Sequence, residues 1–138
     1  MKVLIDTNVL IDYFEDRKEF AEAAQTIFRL CSINEIEGCI SALTIPNLIS
    51  IMRKELTPDA IKDVLSKIFI IFKVEDLKPE DIVLAADMEM DDFEDALQIA
   101  SAVRVDAEYI ITRDKKDYKN SAVTPISPND FLKIYSRI

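Results

Sequence analysis

The sequence predicts a three-layer α/β/α sandwich built on a central parallel sheet of four to five short strands. Three observations lead there: strand-sized apolar runs alternate with stretches of helical spacing, the runs lack the strict alternation of a half-exposed sheet, and helix start signals fall between them. At 138 residues, 49% apolar and 31% charged, the chain is expected to form one domain over residues 1–138. Such a domain buries roughly 68–70% of the surface its unfolded form exposes.

Taken in order, Lys2 to Ile5 is the first strand-sized run and ends at Asp6. Helical spacing follows over Val9 to Phe14 and Phe20 to Ile33, then a second strand at Cys39-Ile40-Ser41. Ile45 to Arg53 and Pro58 to Phe69 read as helices, and Ile70 to Val74 as the third strand. Pro79 to Met88 and Phe93 to Arg104 are helical again, with Leu97, Ile99, Ala100 and Val103 on the core side of the latter. Tyr109 to Thr112 and Val123 to Ile126 complete the strands, and Pro128 to Tyr135 is the last helix. Thr57-Pro58 and Ser127-Pro128 each set a capping hydroxyl before a proline at the first helical position. Thr44 is placed to cap the helix containing Pro46 in the same manner.

Composition removes several kinds of chemistry. There is no histidine, so the commonest general base and the usual activator of a nucleophile are absent. Hydrolysis then has to rely on carboxylates, metal-activated water, or both. A single glycine, Gly38, rules out a glycine-rich phosphate cradle. Cys31 and Cys39 alone suggest neither a zinc site nor a disulfide framework, and are expected to be buried reduced thiols. Apolar runs are far too short to cross a bilayer, so no membrane association and a cytoplasmic location are expected. The balance of 17 basic against 26 acidic residues, −9 overall, speaks against a nucleic-acid binder at first sight. Acids gathered around divalent cations would invert that field locally, and phosphate would meet metal charge instead.

In open parallel sheets, ligands bind outside the carboxyl ends of the strands. Asp6 follows the first strand, and Asp114 and Asp117 follow the fourth. A helix running antiparallel to the strand after it begins at that same rim, which brings Asp92 and Asp95, three apart at the start of the Phe93 helix, to it as well. Each acid also has a plainer reading: Asp6 as a turn or cap residue, Asp92 as part of a solvated acidic helix entry, Asp114 and Asp117 as loop charges. Their convergence favours a site. Two carboxylates about 4 Å apart repel by roughly 4 kcal/mol at an effective dielectric near 20, so several together demand a cation or protonation. Oxygen ligands alone select a hard ion, magnesium or manganese (Mg2+ or Mn2+), which suits phosphodiester hydrolysis. The dense basic stretch Arg113, Lys115, Lys116 and Lys119 is a candidate contact for a phosphate backbone.

The opening Val3-Leu4-Ile5-Asp6-Thr7-Asn8-Val9-Leu10 resembles the first motif of PIN domains. Ile40-Ser41-Ala42-Leu43-Thr44-Ile45-Pro46-Asn47, Asp92-Phe93-Glu94-Asp95-Ala96-Leu97 and Ile110-Ile111-Thr112-Arg113-Asp114 follow in that family's order. This resemblance implies a PIN-like fold, a divalent metal and endoribonuclease activity on RNA, often as the toxin of a VapC-like toxin-antitoxin pair. A small antitoxin partner and homodimerisation are implied by it alone. Carried over by position, Asp6, Asp95 and Asp114 become the catalytic metal acids. Asp92 and Asp117 are further candidate ligands, and Asn8, Asn47 and Thr112 are candidate supports behind them. Asn47 is the departure, since many active members carry a glutamate there; Asp92 could replace the missing charge, or Asn47 could serve the Thr44 cap. A PIN-fold binding module with weak or no catalysis is the alternative. A haloacid-dehalogenase-like phosphatase is disfavoured by Asn8, which stands where that pattern wants an acid.

Overall fold

A computed structural model describes residues 1–137. Its first strand, β1 (Lys2–Ile5), lies at the centre of a five-stranded parallel sheet. On one side are β2 (Glu37–Ser41) and β3 (Lys73–Glu75), on the other β4 (Tyr109–Ile111) and β5 (Thr124–Ile126), giving the order β3-β2-β1-β4-β5. In register, Leu4 stands opposite Cys39 and Ile110, and Ile5 opposite Ile111. The chain leaves β1 toward β2 and later returns to its other edge with β4, so the strand order reverses between β1 and β4. Crevices at such reversals, beyond the carboxyl ends, are where open sheets place ligands.

Strand residues alternate between two cores, as the two-residue period requires. Val3, Ile5, Ile40 and Ile111 face a large cluster with α1 (Thr7–Phe14), α2 (Lys18–Ser32), α3 (Thr44–Met52), α4 (Pro58–Ile71) and α7 (Pro128–Tyr135). Leu4, Cys39 and Ile110 face a second cluster containing Ile99 and Ala102 of α6 (Phe93–Arg104). Covering on both sides explains why the strands read as apolar without alternation. Over the outer side of α6 lies α5 (Pro79–Ala86), packing Ala85 with Ala96, Leu97 and Ala100. Arg104 Nε donates to the buried Asp81 at 2.9 Å and fastens the two helices. In consequence Ala96 to Ala102 are all buried, whereas Val103, expected in the core, is 38% exposed.

Several element ends differ from expectation by one or two residues, and two departures have a clear physical cause. The apolar run Ile70 to Val74 is not a strand throughout: α4 continues to Ile71, and the strand is Lys73–Glu75. Thr57 Oγ1 accepts the Ala60 N–H at 3.2 Å, Pro58 opens the helix, and no breaker precedes Phe72. Extending a nucleated helix by one more residue needs no new nucleus, so it overrides the β preference of isoleucine, even though Ile70 is left 83% exposed. At the other site, Thr44 does not cap α3. It is the first residue of that helix, preceded by Leu43 with no side-chain cap, and its buried Oγ1 accepts from Gln98 Nε2 at 3.1 Å.

Both cysteines are free and buried. Gly38 marks a close approach of β2 to its cover: a Cβ there would stand 2.6 Å from Cys31 Sγ and 2.8 Å from Phe72 Cδ1. No helix among the described residues is long and apolar enough to cross a membrane.

Candidate active site

Asp6 is the first residue past β1, and its N–H still donates to Ile111 O at 3.0 Å, so the pairing with β4 fixes its backbone. Its carboxylate is divided between two tasks. Oδ1 accepts the Thr7 N–H at 2.7 Å and caps α1, while Oδ2 accepts Thr112 Oγ1 at 2.8 Å and, more distantly, Asn8 Nδ2 at 3.5 Å. The capping and functional readings of Asp6 are therefore compatible. Asn8 Nδ2 also donates to Asp114 Oδ2 at 3.1 Å, and Asn8 Oδ1 accepts the Arg113 N–H at 3.3 Å. Thr112, fully buried, returns Oγ1 as acceptor to the Asp114 N–H at 3.0 Å. Asp6 and Asp114, 108 positions apart in sequence, are thus tied together by one amide and one hydroxyl. Burial, first, and then the charge of Asp114 push the Asp6 carboxyl above its ordinary range, against the hydrogen bonds from Thr112 and Thr7.

Asp95 approaches from the first turn of α6. The cap of that helix is Asp92, whose Oδ1 accepts the Asp95 N–H at 3.1 Å. Burial pushes Asp95 up to about 6, with further contributions from the charges of Asp92, Asp6 and Asp117. Asp92, Asp95 and Asp117 line a cavity of about 320 Å³ that also receives Lys116 and Lys119. Behind it sits Tyr118, which ends a short 3-10 turn (Lys115–Tyr118) and is only 1% exposed. Burial, and then the negative charge of Asp6 and Asp95 that its hydroxyl faces, lift its pKa far above the ordinary range. The hydroxyl is near enough to both carboxylates to lower the pKa of each, yet it makes no hydrogen bond of ordinary geometry to either. Nothing in the charged segment Asp114 to Lys119 singles out Tyr118 as part of a site; its one signal is being an aromatic ring among charges.

The donor set is oxygen alone, neighbouring acids add to the burial that raises Asp6 and Asp95, and a buried hydroxyl beside them lacks a partner of ordinary geometry. That combination fits a hard divalent cation. Among the described residues, however, no three ligating side chains stand close enough to enclose an ion as they are oriented.

The family model for the PIN domain matches residues 2–116. The chain belongs to the PIN domain family. No curated protein sequence matches it. Among solved structures, this PIN domain is similar to VapBC2 from Rickettsia felis, bound to a DNA fragment from its promoter, with TM-score 0.74 and 13% identity over 92% of this chain and 98% of the other. It is also similar to VapC20 from Mycobacterium tuberculosis, a sarcin-ricin loop cleaving toxin, with TM-score 0.70 and 14% identity over 91% and 99%. A toxin-antitoxin complex from Klebsiella pneumoniae gives TM-score 0.68 and 21% identity over 91% and 97%.

Two features of this PIN domain depart from what its sequence suggests. Asn47 does not support a Thr44 cap, because no such cap exists; its Nδ2 donates to Glu94 Oε2 at 3.3 Å. A glutamate carboxylate from α6 is thereby held beside the position where the sequence lacks one. Glu94 was not legible as a site residue, since only the packing of α3 near α6 brings it there. Arg113, one of the candidate phosphate contacts, is engaged elsewhere. Its guanidinium donates to both oxygens of Asp12, which is 1% exposed, at 2.6 and 3.1 Å, and lies 4.1 Å from the centre of the Phe20 ring. Lys115 approaches Asp130 at 3.7 Å, which leaves Lys116 and Lys119 as the basic groups at the cavity.

Proposed function

We propose that this PIN domain is a metal-dependent endoribonuclease that hydrolyses RNA phosphodiester bonds as the toxin of a toxin-antitoxin pair. The observation that carries this reading is the junction of Asp6 and Asp114 through Asn8 and Thr112, with Asp95 close enough to feel the charge of Asp6. Asp6, Asp95 and Asp114 would hold the ion, with Asp92 and Asp117 as further oxygen donors at its edge. A bound magnesium or manganese ion supplies Lewis-acid charge that offsets the acidic surface, polarises the phosphodiester and acidifies water. Asn8 and Thr112 keep the carboxylates of Asp6 and Asp114 aimed into the crevice. Lys116 and Lys119 meet the phosphate backbone at the cavity mouth. With no histidine in the chain, protons released on hydrolysis leave through carboxylates or solvent.

Asn47 in place of a glutamate would favour a binding module without catalysis. The carboxylate of Glu94 at 3.3 Å from Asn47 answers that objection, and we favour catalysis. An antitoxin, or a second copy of the chain, would cover apolar surface that this chain leaves open: Phe69 and Ile70 on α4, and Ile82, Val83 and Leu84 on α5.

Purified protein incubated with assorted RNAs and manganese tests the reading. Cleavage that stops on chelation and is lost in Asp6→Asn is expected. Cleavage that persists equally in both conditions, or none by the wild type, would refute it.

A further inference from the structure

The ring of Tyr118 packs with Leu4, Ile99, Ala102 and Ile110, and phenylalanine would fill that space equally well. What packing leaves unexplained is the hydroxyl. A buried hydroxyl without a partner of ordinary geometry costs about 1–3 kcal/mol, and this one lies near two acids that the chain brings from remote segments. Asp6 already accepts from Thr7, Thr112 and Asn8. Among the described residues no donor of ordinary geometry serves the carboxylate of Asp95, in the first turn of α6, and the Tyr118 hydroxyl is near enough to lower its pKa. Tyr118 is the only group in its segment that offers a hydrogen bond from the buried side.

We infer that Tyr118 is a positioning residue of the carboxylate site, whose hydroxyl orients Asp95 against Asp6 for a divalent cation and acquires its own hydrogen bond when the ion draws those carboxylates together. This rests on the proposed reading of the site and adds to it a group that touches neither ion nor substrate. Groups behind metal ligands fix the orientation of those ligands, and their removal commonly weakens metal affinity by about ten- to a hundredfold.

Tyr118→Phe keeps the ring and deletes the hydroxyl. Manganese affinity by titration calorimetry, and melting with and without manganese, should be compared in full-length wild type and Y118F. Y118F is expected to melt as high as the wild type or higher without metal, and to bind manganese about ten- to a hundredfold more weakly. Its rise in melting temperature on adding manganese should shrink accordingly. Equal affinity in the two proteins overturns the inference whatever the melting temperatures. Weaker binding together with a lower metal-free melting temperature assigns the loss to packing and overturns it too. A wild type that takes up no manganese removes the site reading itself, and this inference with it. Should Y118F fail to fold, the tyrosine ultraviolet difference spectrum of the wild type decides: a perturbation on manganese saturation is expected, and an unchanged spectrum is contrary.

Discussion

Arg113 grips Asp12 through two hydrogen bonds, 2.6 and 3.1 Å long, across the gap between α1 and the turn that carries Asp114. Asp12 is 1% exposed, and the other cation near it, Arg17, comes no closer than 4.0 Å. A buried pair of this kind contributes modestly against an apolar replacement, yet breaking it leaves a charge stranded. Arg113→Ala should therefore cost about 3–5 kcal/mol, read as a lowered urea midpoint. Asp12→Leu combined with Arg113→Met should restore most of the loss. A cost for Arg113→Ala under about 1 kcal/mol, the range of an exposed pair, would show that the pair holds nothing together.

Asn8 bridges Asp6, Thr112 and Asp114 with a single amide. Asn8→Ala should weaken manganese binding about ten- to a hundredfold, while costing the fold only about 1 kcal/mol for its bond to the Arg113 N–H. Calorimetry and denaturant unfolding separate the two effects. Unchanged manganese affinity would mean that the amide merely fills space between the acids.

The folded chain holds Asp95 at about 6 against an ordinary value of 3.8, so in that interval the folded form binds more protons than the unfolded one. Stability from the protonated group is complete below the unfolded value and is lost as pH rises through about 6. Without metal, wild type relative to Asp95→Asn should lose stability over that window. Asp6, shifted in the same direction, adds to the trend but belongs to both proteins. Manganese competes with the proton, so its uptake should rise over the same interval. Denaturant midpoints measured in chelator across pH give the difference; a flat difference would mean that Asp95 is not crowded.

Gly38→Ala should cost about 1–3 kcal/mol through overpacking, because the new methyl meets Cys31 Sγ and the Phe72 ring. Adding Cys31→Ala should recover part of this, since it removes the nearer obstacle and leaves the other. Thermal melts of the single and double variants provide the comparison. No recovery would place the strain on Phe72 alone.

Much of the architecture was legible because its determinants are local. Thr57-Pro58 and Ser127-Pro128 begin α4 and α7 as their sequences suggest, with side-chain caps at 3.2 Å in both. The end of β1 could be placed from its apolar run alone and that of β4 to within one residue, and with them Asp6 and Asp114 beyond the strand ends. Harder were features decided by packing. Ile70 and Ile71 have strand character, but the helix already running from Pro58 absorbs them. Val103 sits on the predicted inner stripe of α6, yet α5 covers a different side.

Pairings between remote residues were least accessible. Asn47 with Glu94, Arg113 with Asp12, and Tyr118 behind Asp6 and Asp95 each join residues whose separation carries no periodic signal. Arg113 illustrates the limit: in a run of basic residues it reads as a phosphate contact, and only the burial of Asp12 in α1 reveals the competing partner.

Anomalous diffraction from a crystal grown with manganese tests the central claim most directly. One ion or two should lie between Asp6, Asp95 and Asp114, with carboxylate oxygens of all three directed at the density and Tyr118 behind them. Density elsewhere on the acidic surface, or none while those three carboxylates stay apart, would contradict the account.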